Sequence, residues 1–274
     1  MRLAIALLAL SVPQLASAKE MVGPTAPAFG ENPKHSYESS QWFAFELKFS
    51  PYSPKIDDSA GLNGKTPFAD LFTSQTNHHR PDSRLLTQLE FDFQFLHKHG
   101  SLGVGVTAGY ARRTTHSFNF DDLAGKVACT IPNCTRSGDE TALNVMPFSL
   151  LAVYRWDWLA LKHHVPLVPY LKIGLAYYVW WIENGAGATA SFTNTKNNVE
   201  SGYGGTFGWV VNPGISFLLD VIDPTAARTI DAELGINHSY VFIELHYADV
   251  TGFGAKDKLT LSDTTFNCGL AFEF

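Results

Sequence analysis

Histidines set beside acids or hydroxyls are the first residues that could do chemistry. His78-His79 stand near Asp82 and Ser83, and His116 stands near Asp121-Asp122. A His that shares its proton with a carboxylate and faces a Ser hydroxyl makes an ester-cleaving nucleophile. Spacing along the chain does not supply that geometry. Two adjacent His side chains also point apart on an extended chain, so neither His78-His79 nor His163-His164 reads as a metal pair. Cys129-Thr-Ile-Pro-Asn-Cys134 reads as a loop disulfide in an oxidising compartment. Cys268 is left over and reads as a small apolar residue. No Gly-rich phosphate cradle or dinucleotide fingerprint opens a helix. The expectation is a chain without an active site, a metal or a cofactor.

Composition narrows the class. Of 274 residues, 45% are hydrophobic, 13% aromatic and only 17% charged, against a usual charged share of about 25%. So much apolar surface excludes disorder as the main state. A formal charge of −6 excludes a nucleic-acid footprint. The start reads as an export signal: basic Met1-Arg2, apolar Leu3 to Leu10, Pro13, and the small-residue site Ala16-Ser17-Ala18. Residues 1–18 are therefore expected to be a signal peptide, 19–40 a polar linker rich in Pro and Gly, and 41–274 the folded body. Beyond the signal, no apolar run approaches the roughly 18–20 residues of a membrane helix.

The body alternates with period 2. Phe43, Phe45, Leu47 and Phe49 share one face; Ala44, Glu46 and Lys48 share the other. Leu85 to Phe95 and Leu102 to Tyr110 continue in the same way, the second alternating with Gly. Further strands are expected at 141–157, 167–183, 203–219, 238–250 and 259–274, about eight in all. Pro147 leaves the phase of the fourth open, since a bulge there would swap its faces. Several strands match the roughly 9–11 tilted residues that cross a bilayer. Short connections lie on one side. One of them, Asp220 to Asn237, is expected to hold a helix with Asp223 as N-cap, Pro224 first and Gly235 as stop. Long polar loops lie on the other side, at 51–84, 112–140 and 184–202. Aromatics gather near strand ends with aliphatics between them, as at two lipid–water interfaces.

The terminal run Phe266-Asn-Cys-Gly-Leu-Ala-Phe-Glu-Phe274 resembles the C-terminal sorting signal of bacterial outer-membrane barrels. Trp42 to Pro54 is similar to the first strand of small Gram-negative barrels, including porin-like families of myxobacterial type, and the whole pattern resembles OmpA-type and OmpW-type barrels. The resemblance implies a closed, antiparallel, up-and-down transmembrane β-barrel with both termini in the periplasm. It implies outer-membrane lipid and lipopolysaccharide as surroundings, and recognition of Phe266, Leu270, Phe272 and Phe274 by the barrel-insertion machinery. Eight strands leave an interior filled by side chains. The charged residues expected there are Glu46, Lys48, Glu90, Asp92, Lys172, Glu244, His246 and Glu273, with the lysines paired to acids. Such a lumen is a structural ion-pair network or, on a sharper reading, a narrow ion path. The expected role is membrane-structural, or passage of small solutes or apolar ligands. The alternatives are a secreted lipocalin-like barrel with its apolar face inward, and an outer-membrane hydrolase working through His79 or His116.

Overall fold

The computed structural model describes residues 41–72, 84–97, 100–118, 136–158, 160, 165–193 and 199–274. Eight long strands pair into a closed barrel: β1 (Phe43–Tyr52), β2 (Arg84–His97), β3 (Ser101–Phe118), β4 (Arg136–Arg155), β5 (Leu167–Glu183), β8 (Tyr203–Leu218), β9 (His238–Asp249) and β10 (Asp263–Glu273). Two short strands, β6 (Ser191–Thr193) and β7 (Val199–Ser201), form a separate hairpin in the connection between β5 and β8. Every barrel neighbour is antiparallel and, with that hairpin set aside, next in the chain; β10 returns to β1 through pairs such as Leu47↔Leu270. Closure leaves no unpaired edge, so the backbone polar groups of the wall are satisfied within it.

Alternation decides which face is which. In β2, Leu89, Phe91, Phe93 and Phe95 are exposed while Gln88, Glu90, Asp92 and Gln94 are buried. The same holds in β5, where Leu171, Ile173 and Leu175 point out and Lys172 and Ala176 point in. Ile173 is 51% exposed and Lys172 0%. This is the inverse of a soluble barrel. Phe91, Ile173 and Leu270 share no common interior, which removes the lipocalin-like arrangement.

Pro147 produces no bulge. The register of β4 on β5 runs unbroken through Met146↔Val179, Pro147↔Tyr178 and Phe148↔Tyr177, so Pro147 faces inward and Phe148 outward. A register shift occurs instead at the turn end of β2, between Gln94 and Leu96.

On the short-turn side, α2 (Pro224–Leu234) follows a 3-10 turn at Leu219–Val221. The Asp223 side chain accepts from the amides of Thr225 and Ala226, both at 3.0 Å. Gly235 closes the helix in the left-handed region (φ 71°), which glycine adopts without steric cost. A second helix was not visible in the alternation: α1 (Pro67–Phe72), six residues in the long connection between β1 and β2.

One close approach fixes the spacing of the wall. A Cβ on Gly174 of β5 would overlap the carbonyl oxygen of Leu150 across the β4–β5 ladder. Gly174→Val therefore separates two paired strands and should destabilise the barrel by about 3 kcal/mol or more. Urea unfolding in lipid vesicles, followed by tryptophan fluorescence, checks this; a midpoint unchanged from the parent chain would show that the backbones do not meet there.

Candidate functional site

The most chemically loaded region is the middle of the barrel interior. Glu46 and Lys48 come from β1, Glu90 and Asp92 from β2, Lys172 from β5 and Glu244 from β9. Period-2 geometry points all six inward, and each is fully or almost fully buried. Lys48 Nζ lies 2.7 Å from Glu90 Oε2, 3.0 Å from Glu244 Oε1 and 3.4 Å from Glu46 Oε2. Lys172 Nζ lies 2.5 Å from both Glu46 Oε2 and Glu90 Oε1, and 3.7 Å from Glu244 Oε2. Arg155, at the end of β4, binds Glu46 Oε1 at 2.6 Å and also reaches Asp92.

Neutral groups add hydrogen bonds to Glu90 and Glu244, while Asp92 Oδ1 is buried without a hydrogen-bond partner among the described residues. Thr107 Oγ1 donates to Glu90 (2.8 Å), Tyr170 OH to Glu244 (3.0 Å) and Asn267 Nδ2 to Glu244 (2.7 Å). The Lys172 ammonium lies 4.9 Å from the Tyr170 ring centroid, and both lysines lie within 6 Å of the Phe242 ring, Lys48 at 5.9 Å and Lys172 at 5.7 Å. Oxygens of Glu46, Glu90 and Asp92 gather within 4.8 Å of one another, a spacing that would suit a cation. Lys48, Lys172 and Arg155 already bind those same carboxylates. The chemistry of the donor set is that of an ion-pair network.

The other two interior residues expected from the alternation stand apart from this cluster. Glu273 sits toward the turn side, accepting from Gln94 Nε2 (3.0 Å) and Tyr240 OH (2.9 Å). His246 sits on the loop side, 2.9 Å from Asn212 Oδ1 and 3.4 Å from the Tyr178 hydroxyl. Arg155 was missed by sequence reasoning. Its inward neighbours along β4 are Leu151 and Val153, so no polar alternation marked the phase; the two-residue spacing from them was the available signal.

Above His246 the interior turns apolar. Leu86, Leu143, Val145, Leu151, Tyr178, Val210, Val250 and Leu261 form one buried cluster with Tyr52, Ile56 and Phe68. Phe68 belongs to α1, which lies against the loop end of β3. Asp57 accepts from the amides of Phe68 and Ala69, both at 2.8 Å, and so caps the helix. Arg113 donates to the Phe72 carbonyl (2.9 Å), its guanidinium 5.1 Å from the Phe68 ring centroid and 5.0 Å from that of Phe72. Thr115 Oγ1 donates to Leu71 O at 2.8 Å, and Arg136 to Asp70 O at 3.3 Å. Burial, with the Asp57 charge adding to it, holds the Asp70 carboxyl above its usual range.

The outer face is graded too. Trp42, Phe43, Phe93, Phe95 and Trp156 are exposed near the turn side; Tyr110, Tyr177, Phe207, Trp209 and Tyr247 are exposed toward the loop side. Rings within each group touch, as in Phe43–Phe93 (5.5 Å), Tyr177–Phe207 (4.4 Å) and Trp209–Tyr247 (5.3 Å). Between them lie Leu89, Val104, Val106, Leu150, Leu171, Ile173, Leu175, Ile243 and Leu270, all exposed. Beyond the loop-side ring the outer face becomes polar: Arg112 pairs with Glu183 (3.1 Å), and Tyr110 OH donates to Asn144 Oδ1 (2.7 Å). Phe266, Cys268, Leu270 and Phe274 also face outward, and Phe272 is half-buried on the same face.

His78, His79, Asp82, Ser83, Asp121, Asp122, Cys129, Cys134, His163 and His164 lie outside the described residues, as do residues 1–40. His116 is in β3, where its carbonyl accepts from Arg136 at 2.7 Å.

No protein-family model and no curated protein matches the chain. Among solved structures it is similar to Ail, the attachment invasion locus protein of Yersinia pestis (TM-score 0.37, 10% identity, 86% of this chain and 99% of that one). It is similar to Neisserial surface protein A (0.35, 9%, 86% and 95%) and to the outer membrane protein OprG from Pseudomonas aeruginosa (0.43, 11%, 86% and 97%).

Two outcomes follow from this geometry. Lys172→Met leaves four carboxylates, Glu46, Glu90, Asp92 and Glu244, sharing one lysine and one arginine, and should cost about 3–5 kcal/mol. Adding Glu90→Gln should recover part of that loss, and the pair of urea midpoints in vesicles measures both. On the loop side, Asp57→Ala removes the cap of α1 and should speed proteolytic cleavage between β1 and β2 while the barrel stays folded. Asp70→Asn should have the opposite effect, and more so at neutral pH than in acid. A carboxyl whose pKa is raised by folding favours the folded state below its unfolded pKa and loses that contribution as pH rises.

Proposed function

We propose that this chain is a Gram-negative outer-membrane β-barrel with a sealed lumen, serving as a structural element of the membrane and a platform for its outward loops. One observation carries the reading: aliphatic side chains cover the outside between two aromatic rings, while the charges are enclosed and paired. An exposed apolar belt of this extent has no place in water, and a closed strand wall is what hydrocarbon tolerates. The short-turn side is then periplasmic and the long-loop side extracellular, as in other barrels of this kind.

The remaining parts of the reading rest on the sequence. Residues 1–18 act as a cleaved export signal and 19–40 as a periplasmic linker. The alternating apolar run to Phe274 serves as the signal for the insertion machinery, and Cys129 and Cys134 form a loop disulfide. Lipid and lipopolysaccharide surround the belt, with Arg112 at the outer interface. The chain acts without catalysis: the contacts of the interior His246 are an amide and a phenol, which suits a structural role.

Of the membrane-structural and porin-like roles, the ion network favours the first. Lys48 and Lys172 fill the middle of the lumen with no exposed surface of consequence. The purified chain should need detergent to stay dispersed and should migrate differently on a gel before and after boiling. In planar bilayers it should carry no steady current. A stable ohmic conductance would overturn the sealed lumen but keep the barrel, whereas a monodisperse detergent-free protein would overturn the membrane assignment.

A further inference from the structure

Helix α2 is well built and buries nothing. Its N-terminus is capped by Asp223 and its C-terminus by Gly235, yet none of its residues is buried. An isolated helix of 11 residues is marginal in water, and in proteins such helices are held by packing one face. Here the face exists without a protein partner among the described residues. Ala226, Ala227, Ile230 and Leu234, spaced i, i+1, i+4 and i+8, make one apolar stripe. Arg228, Thr225 and Thr229 lie opposite it, and Asp231 and Glu233 flank it. Leu234 is 67% exposed, and the residues leading into the helix add Val221 at 48% and Ile222 at 71%.

The position says what covers this stripe. The 3-10 turn at Leu219–Val221 continues directly from β8 and packs against β9, and α2 touches both that turn and β9. Toward the helix, the outward residues of β8 are Ile215 and Phe217 and those of β9 are Val241 and Ser239; Ile215 and Val241 are exposed parts of the apolar belt, and Phe217 and Ser239 are half-buried. The helix thus stands at the turn-side rim, next to the strands that carry Ile215 and Val241 of the belt. We propose that α2 is an interfacial helix lying in the periplasmic leaflet of the outer membrane, with Ile222, Ile230 and Leu234 in the acyl region and Arg228 toward water. This rests on the membrane reading given above. The occupant is lipid held by apolar burial. From Asp223 to Leu234 the segment carries three acids and one base, a net charge of 1 − 3 = −2, so attraction to anionic headgroups is not the cause.

The test uses the full chain with its three native cysteines changed to serine and reconstituted in phosphatidylcholine–phosphatidylethanolamine vesicles. Nitroxide labels go on Ile230→Cys, Leu234→Cys, Thr229→Cys and, as the belt control, Ile243→Cys. Gel mobility before and after boiling verifies that each variant is folded. Collision with oxygen and with a water-soluble nickel chelate is then measured. Expected are several-fold lower nickel collision and higher oxygen collision at 230 and 234 than at 229, with 243 deeper still. If 230 and 234 match 229 while 243 remains shielded from nickel, the helix stands in periplasmic water and the inference falls alone. If 230 and 234 are shielded from both reagents, a protein surface covers the stripe and the lipid assignment is overturned. Nickel reaching 243 as freely as 229 would remove the membrane reading itself.

Discussion

Closing eight strands encloses a space too narrow for anything but side chains, and the rest of the structure follows from how that space is filled. Once Glu46, Glu90, Asp92 and Glu244 are turned inward, water cannot hydrate them and their charge must be met by other inward residues. Lys48, Lys172 and Arg155 meet it. The attachment is also a matter of shape. In the barrel order, β5 stands four strands from β1 in either direction, so the Lys172–Glu46 contact spans the interior. Lys48 likewise joins β1 to β2 and β9. A buried ion pair contributes little net stability against a well-packed apolar alternative, but removing one partner is costly. The network therefore acts less as glue than as a check on register. A one-residue slip of β1, β2, β5 or β9 would put a charge on the outer face and a Leu, Ile or Phe in the centre.

The same pleat that loads the interior prepares the exterior. Every inward charge has outward neighbours one residue away, and these are Phe45 and Leu47 beside Glu46, Leu89 and Phe91 beside Glu90, and Leu171 and Ile173 beside Lys172. Aromatic residues take the strand ends, where a ring can be apolar on one side and wet on the other. The loop-side limit of that belt is marked by the Arg112–Glu183 pair and by Asn144, an outward Asn covered completely and bonded by Tyr110.

Much of this was legible in sequence wherever the two faces of a strand differ in polarity. The boundaries of β5 and the three capping residues of α2 could be read directly, because alternation and the Asp-Pro…Gly pattern are local signals. The inward orientation of Lys172 could be read from its neighbours for the same reason. Legibility failed where both faces are apolar. Around Pro147 the residues Leu143, Val145, Leu151 and Val153 face inward and are as hydrophobic as the outward ones, so the phase was undetermined and Arg155 went unnoticed. The apolar upper half of the interior is invisible on the same ground. Helix α1 is six residues long, too short for a helical period, and depends on Asp57 ten positions before Pro67, a contact made only after folding.

The two interior layers close the barrel by different physics. In the charged layer, Lys48 and Lys172 are held against carboxylates from three strands. The upper layer is held by packing: Phe68 and Phe72 of α1 sit under Arg113, and Tyr52, Leu143 and Val250 fill what lies beneath. Loosening one layer leaves the other. On the sealed-lumen reading we propose, a chain for flow through its centre gains nothing from two such layers, whereas a wall that displays loops gains a rigid base from both.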